Sequence, residues 1–168
     1  MKNKYKELVE QISDEILHLE HSFQRILKEW QYAITDQDKQ DSHIDSVALN
    51  LQSFYTEIER LFRLIAKNID RSLPSGESWH SDLLKQMATD LAGIRPAVIK
   101  GNSITILDEL LGFRHRVRNI YAFELIPENV GKLVLALNYF WSELRAELLA
   151  FAEFLEELEA QDNINDSE

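Results

Sequence analysis

Apolar side chains recur at alternating spacings of four and three along most of the chain, the pattern of helices that bury one face. The first such segment covers residues 3–33, and the second follows a polar connection at residues 35–42. Pro74 and Gly76 end the second helix, because both residues break helices. The sequence shows no strand alternation, internal repeat or glycine-rich phosphate loop.

Two shorter helices follow. The third is predicted from Trp79 to about Leu91, before a loop with several glycine and proline residues. The fourth is predicted to begin at Thr105 and Asp108, whose spacing resembles a capping box, and a buried apolar seam follows it.

The fifth helix begins at Pro127, since proline is favoured at the first helical position, and its apolar seam ends near Asp162. The pattern therefore predicts an all-α fold, an antiparallel bundle of four to five helices. We expect one domain over residues 1–160 and a polar, disordered tail at residues 161–168.

The composition narrows the class of protein. The chain has no cysteine, which excludes disulfides, a thiol nucleophile and a thiolate metal site. Its 29 acidic residues against 18 lysines and arginines give a net charge of −11, which disfavours non-specific coating of nucleic acid. The sequence shows neither the apolar core of a signal peptide nor a segment of membrane-spanning length, so we expect a cytoplasmic protein.

A basic run on the predicted fourth helix is the exception to this acidity, with three arginines in five positions. Arg114, Arg118 and Tyr121 are separated by four and three residues, so they share a stripe at the rim of the apolar seam. His115 and Asn119 lie roughly opposite that seam. Two guanidiniums, an imidazole, a carboxamide and a phenol suit phosphate chemistry. The pattern thus makes Arg114 and Arg118 candidate phosphate ligands.

A structural alternative stays open for the same residues. The arginines would pair with surplus acids such as Asp108, Glu109 or Glu124, and His115 would be solvated. Spacing alone does not distinguish this arrangement from a phosphate site.

Two histidine-containing segments have simpler explanations. His18 and His21 flank Glu20 at a one-turn spacing, but no third and fourth ligand accompanies them, so we predict no metal site. Trp79 and His80 follow the loop at Pro74 and Gly76, where an indole is typical of an anchor that closes a gap in the core. We predict no cofactor either, since no cofactor motif is present.

The run at Arg114 resembles the motif of HEPN proteins, compact helical bundles in which an arginine, a polar residue, a few spacers and a histidine follow one another. In the HepT-like branch a tyrosine follows two positions later. Arg114 matches the arginine, His115 the polar residue, Asn119 the place of the histidine and Tyr121 the tyrosine. Upstream segments also resemble HepT-like proteins, so the resemblance covers roughly residues 50–145; these segments are residues 54–60, 65–66, 73–76 and 79–84.

The resemblance implies a HEPN-like fold and a metal-independent endoribonuclease, the toxin of a type VII-like toxin–antitoxin pair. It implies RNA as substrate, an MNT-type nucleotidyltransferase antitoxin as partner, and a homodimer formed through the motif helices. In the family the arginine and histidine serve RNA cleavage, and the partner enzyme adenylylates the tyrosine to silence the toxin. Tyr121 is therefore the expected modification site.

Asn119 departs from the family pattern, because a carboxamide exchanges no proton at neutral pH. His115 is then the expected acid or base, Asn119 positions the phosphate, and Arg114 and Arg118 stabilise its charge. Two alternatives remain. One is a non-catalytic HEPN module that binds nucleotide or RNA, or is the substrate-binding partner of a nucleotidyltransferase. The other is a structural helical dimer.

Overall fold

The computed structural model describes residues 4–119 and 125–167, which form five α-helices. The predicted all-α bundle is confirmed. The helix α5 extends one turn past the predicted end at Asp162, into the segment predicted to be a disordered tail. The helices are α1 (Lys4–Thr35), α2 (Gln40–Ile65), α3 (Trp79–Met87), α4 (Gly101–Asn119) and α5 (Pro127–Asn165), and a π-helical turn, Ala66–Asp70, continues α2.

The helix α2 lies at the centre of the bundle and contacts α1, α3, α4 and α5. The short connection at residues 36–39 makes α1 and α2 antiparallel neighbours. Trp141 of α5 packs against Phe23 of α1 and Phe54 of α2, with ring centroids 5.5 Å apart in each pair. The Trp141 indole N–H donates to the carboxylate of Glu20. One core therefore joins the three long helices.

Within residues 4–119 and 125–167, no helix is both long enough and apolar enough to cross a membrane.

The helix α3 ends at Met87, four residues before the predicted end near Leu91. Arg95 explains the difference. Its buried guanidinium donates a hydrogen bond to the carbonyl oxygen of Gln86 at 3.1 Å, at the end of α3, where a further turn of helix would otherwise use that acceptor. Arg95 also donates to both carboxylate oxygens of Asp70, at 2.5 and 2.7 Å. This buried pair ties the end of α3 to the π-helical turn after α2, and so fixes α3 against α2.

The helix α4 begins at Gly101, so the predicted capping box of Thr105 and Asp108 is wrong. The backbone N–H of Lys100 donates instead to the carboxylate of Glu147 on α5, at 3.0 Å. The acceptor at this helix start comes from a distant part of the chain, which a local sequence motif does not reveal.

Glu147 makes the stability of the fold depend on pH. Burial raises the pKa of Glu147 and outweighs the opposing hydrogen bond from the Lys100 backbone. The folded chain thus favours the protonated form, and stability falls as the pH rises through the folded-state pKa. We expect Glu147→Gln, which keeps an acceptor for Lys100, to raise the Tm relative to wild type at about pH 8 and not at about pH 4.

Thermal unfolding followed by circular dichroism at both pH values measures this difference. Glu153→Gln is the matched control, because Glu153 is an exposed acid on the same helix and is not among the groups that shift the pKa of Glu147. A Tm gain for Glu147→Gln that is the same at both pH values would contradict the prediction.

Candidate functional site

Arg114 of α4 is buried, with 4% of its surface exposed, although the sequence pattern placed it at the rim of the core. Its guanidinium reaches α2, where Nη1 and Nη2 donate to the two carboxylate oxygens of Glu59 at 3.3 and 2.9 Å. Nη1 also donates to the hydroxyl of Thr56 at 3.2 Å. The Arg114 Cζ lies 4.7 Å from the centroid of the Tyr55 ring. Arg114 therefore forms a buried, bidentate ion pair with a side chain of another helix.

Tyr55 does not compete for this arginine as an anion. Burial raises the pKa of the Tyr55 phenol well above its ordinary value, and the nearby Glu59 carboxylate raises it further. The phenol is neutral at physiological pH, so Glu59 is the anion that Arg114 faces here.

The first turn of α3 brings His80 to the same carboxylate. His80 Nδ1 lies 2.7 Å from Glu59 Oε2 and 3.0 Å from Arg114 Nη2. Glu59 can only accept and Arg114 can only donate, so His80 Nδ1 cannot form a hydrogen bond with both. We assign the shorter contact, to Glu59, as the hydrogen bond, which places the proton on Nδ1 and leaves Nε2 as the acceptor of a neutral imidazole. The 3.0 Å distance to Arg114 is then a contact without a hydrogen bond. The Trp79 ring stacks on the imidazole, with centroids 3.6 Å apart. A carboxylate and an indole thus hold the orientation of this imidazole.

The His80 side chain keeps 31% of its surface exposed, whereas those of Glu59 and Arg114 keep 9% and 5%. The Arg114–Glu59–His80 cluster, as we call these three residues, is therefore buried at the ion pair and open at the imidazole. An oriented imidazole within reach of solvent is suited to proton transfer.

Glu59 and His80 were not among the site residues predicted from the sequence. The sequence did contain a signal for Glu59, because an acidic residue next to Ile58 and Phe62 on the apolar face of a helix is unusual. It contained little signal for His80, because the role of the neighbouring Trp79 as a core anchor was enough to explain this segment. Trp79 does pack against the core, and it also supports the His80 ring.

The three arginines of the basic run diverge around α4. Arg118 is exposed and lines a cleft of about 340 Å³ between α2 and α4, which Arg114 also lines. Arg116 lines a separate cleft of about 740 Å³ between α4 and α5. His115 is exposed and lines neither cleft. The structure therefore brings Arg114 and Arg118 together, as the spacing predicted, and does not bring His115 to them.

The alternative in which the arginines pair with acids applies to Arg114, but its partner is Glu59. Among the described residues, neither Asp108 nor Glu109 forms an ion pair. Glu124 lies outside the described residues.

Two further predicted residues fall outside what the structure describes, namely the side chain of Asn119 and the whole of Tyr121. Their roles as positioning residue and modification site stay predictions. In residues 4–119 and 125–167, no three histidine, aspartate or glutamate side chains are grouped so that they could hold a metal ion.

The helical bundle and its arginine motif on α4 define the chain as a HEPN-type protein. A family model described as HepT-like protein matches residues 46–155, roughly two-thirds of the chain. The chain belongs to the HepT-like family, as the resemblance implied. The matched range contains all three members of the Arg114–Glu59–His80 cluster. Comparison with curated proteins and with solved structures gave no significant match.

Proposed function

We propose that this protein is a metal-independent endoribonuclease and the toxin of a type VII-like toxin–antitoxin pair. The observation that carries this proposal is the Arg114–Glu59–His80 cluster, which joins a solvent-accessible imidazole to the family's motif arginine. Two clefts lie along this cluster, and Arg118 lines one of them. Together these groups supply a base and a phosphate ligand.

In the proposed reaction the 2′-hydroxyl of RNA attacks the adjacent phosphorus. The O2′–P bond forms, the P–O5′ bond breaks, and the products carry a 2′,3′-cyclic phosphate and a 5′-hydroxyl. His80 Nε2 accepts the proton of the 2′-hydroxyl, and Glu59 stabilises the imidazolium that results. Of the two predicted phosphate ligands, Arg118 contacts the phosphate, whereas Arg114 is a positioning residue that holds Glu59 and, through it, His80.

The leaving 5′-oxygen needs a proton, and His115 is the proposed donor. Neither histidine lines the two clefts, but His80 contacts Glu59 and Arg114, and each of these lines one of them. His115 is not part of that cluster, so in this proposal it acts from a second copy of the protein. A homodimer formed through the motif helices would supply it. Asn119, four residues after His115, positions the phosphate by hydrogen bonding.

The proposed partner is an MNT-type nucleotidyltransferase antitoxin, and both proteins act in the cytoplasm. The antitoxin silences the RNase by attaching an adenylyl group to Tyr121. Tyr121 follows Arg118 by three residues in the sequence. An adenylyl group on its phenol would add negative charge to this basic stretch, which is proposed to hold RNA.

A non-catalytic HEPN module is the second candidate, and one observation favours it. Asn119 stands where the family carries its histidine, and Glu59 occupies the guanidinium of the motif arginine. Such a module would bind RNA or nucleotide, or serve a nucleotidyltransferase, without cleaving RNA.

Arg118→Ala tests the catalytic proposal. We expect it to lower the RNA cleavage rate of the purified protein in EDTA about a hundredfold, as loss of a transition-state oxyanion donor does. Induced expression without the antitoxin should arrest bacterial growth for wild type and not for Arg118→Ala. Arg116→Ala is the matched control, because it removes the same charge two residues away, at the cleft between α4 and α5.

Equal losses for Arg118→Ala and Arg116→Ala would mean that only overall charge matters. A folded wild-type protein that neither cleaves RNA nor arrests growth would overturn the proposal in favour of the binding module.

A further inference from the structure

A row of cations follows the exposed side of α2 into the π-helical turn. Arg60, Arg63 and Lys67 are three and four residues apart, so they lie on one side of the helix within about 10 Å along its axis. All three are exposed. They line a cleft of about 430 Å³ together with Thr56 and Glu59.

This cleft adjoins the one beside Arg118. Thr56 and Arg60 line both, so the two clefts form one groove along α2, which we call the α2 groove. The groove runs from Arg118 to Lys67. Since Glu59 lines the groove, the Arg114–Glu59–His80 cluster borders it.

The α2 groove is locally positive in a chain of net charge −11. It contains five cations and two acids, which are Arg60, Arg63, Lys67, Arg114 and Arg118 against Glu57 and Glu59. Both acids already have partners. The carboxylate of Glu57 accepts a hydrogen bond from the Ser22 hydroxyl at 2.9 Å, and Glu59 forms an ion pair with Arg114.

Apart from Arg114, the cations of the groove have weaker partners than the acids. Arg60 lies 3.7 Å from Glu15, and its side chain is 60% exposed. The Arg63 Cζ lies 5.2 Å from the ring centroid of Trp79. In the described part of the chain, Arg63, Lys67 and Arg118 form no ion pair with a carboxylate. These side chains are therefore available to bind an anion from outside the chain.

The arrangement suits a chain of phosphates better than a single anion. Arg118, Arg60, Arg63 and Lys67 are spread along the groove, and the aliphatic side chains of Leu64 and Leu73 line its far part. A flexible single strand can place successive phosphates along such a positively charged groove. Duplex nucleic acid is denser in charge and is repelled more strongly by the acidic remainder of the protein.

We propose that the α2 groove binds the phosphates of single-stranded RNA on one side of the scissile bond, with Arg63 and Lys67 each contacting a phosphate. This inference rests on the proposed ribonuclease function and names how that site holds its substrate. Arg118 and His80 act at the bond that breaks, and the α2 cations hold the strand that leads away from it.

The salt dependence of RNA binding tests this groove directly. The probe is a fluorescent 12-nucleotide 2′-O-methyl RNA, which cannot be cleaved because it lacks the attacking hydroxyl. We expect the slope of log affinity against log salt to become shallower by about 1.4 in Arg63→Gln/Lys67→Gln, at about 0.7 for each lost phosphate contact. Lys67→Gln alone leaves the Arg63–Trp79 contact intact and should change the slope by about 0.7.

Arg25→Gln/Lys28→Gln is the control, since it removes two exposed charges at nearly the same spacing from α1. It should leave the slope unchanged. An unchanged slope in Arg63→Gln/Lys67→Gln, or an equal change in the α1 control, would overturn the groove while RNA cleavage by the wild type would still support the ribonuclease. A wild-type protein that neither binds this probe nor cleaves RNA would overturn both.

Discussion

Glu59→Ala is expected to lower the free energy of unfolding by about 3–5 kcal/mol, because it leaves the Arg114 guanidinium buried without its anion. The charge of Arg114 then faces a low-dielectric interior, where the Thr56 hydroxyl and the His80 imidazole are neutral partners that do not replace the anion. Equilibrium unfolding in urea, followed by circular dichroism, measures the change.

A double variant distinguishes the cost of leaving Arg114 unpaired from the net contribution of the Arg114–Glu59 ion pair to stability. Replacing both members by apolar side chains of similar volume, in Glu59→Leu/Arg114→Met, removes the stranded charge and should recover most of the stability. Arg145→Ala is the control, since Arg145 is half-exposed and 3.8 Å from Glu20, and it should change stability by less than about 1 kcal/mol. If Glu59→Ala resembles this control, Arg114 is solvated and the cluster does not hold in solution.

His80→Ala is expected to lower the kcat for RNA cleavage by about 10²–10⁴-fold, the contribution of a positioned general base. The KM should change little, because Arg118 and the α2 cations rather than the imidazole hold the phosphates. Removing the base should also abolish the rising limb of the pH–rate profile, which a purely structural histidine would leave in place. Steady-state kinetics on a fluorescent RNA across pH give all three quantities.

His43→Ala is the control for this experiment. His43 is also partly buried between acids, at 3.6 Å from Glu29 and 3.5 Å from Asp36. It lies sixteen residues before Glu59 on α2, about 24 Å along the helix. We expect wild-type kinetics for His43→Ala. An active His80→Ala together with an inactive His115→Ala would return the base to His115 and leave His80 a structural role.

The sequence predicted the helices well because helix formation and burial leave a local, periodic record. The seams of α1, α2 and α5 follow the spacing of three and four residues, and the buried side chains agree with them. The helix ends were less predictable. The end of α3 depends on the hydrogen bond from Arg95 to Gln86, and the start of α4 on the hydrogen bond from the Lys100 backbone to Glu147. Local sequence motifs reveal neither contact.

The candidate site divides in the same way. Arg114 and Arg118 lie four residues apart on one helix, so their shared cleft followed from the spacing. The burial of Arg114 could not be predicted from the spacing. On an α-helix, neighbouring positions differ by about 100° of rotation, so a small error in the orientation of α4 exchanges a rim position for a buried one. The burial of Arg114 depends on Glu59 across the helix interface, and sequence spacing carries no information about that partner.

The sequence by itself determined the helical class, the apolar seams, the absence of cysteine chemistry and the motif that resembles HepT-like proteins. Only the tertiary structure decided that Glu59 and His80 join Arg114, since they lie 55 and 34 positions from it along the chain. Periodicity records which face of a helix is buried. It does not record which residues of other helices that face meets, because the packing of α2, α3 and α4 sets those contacts.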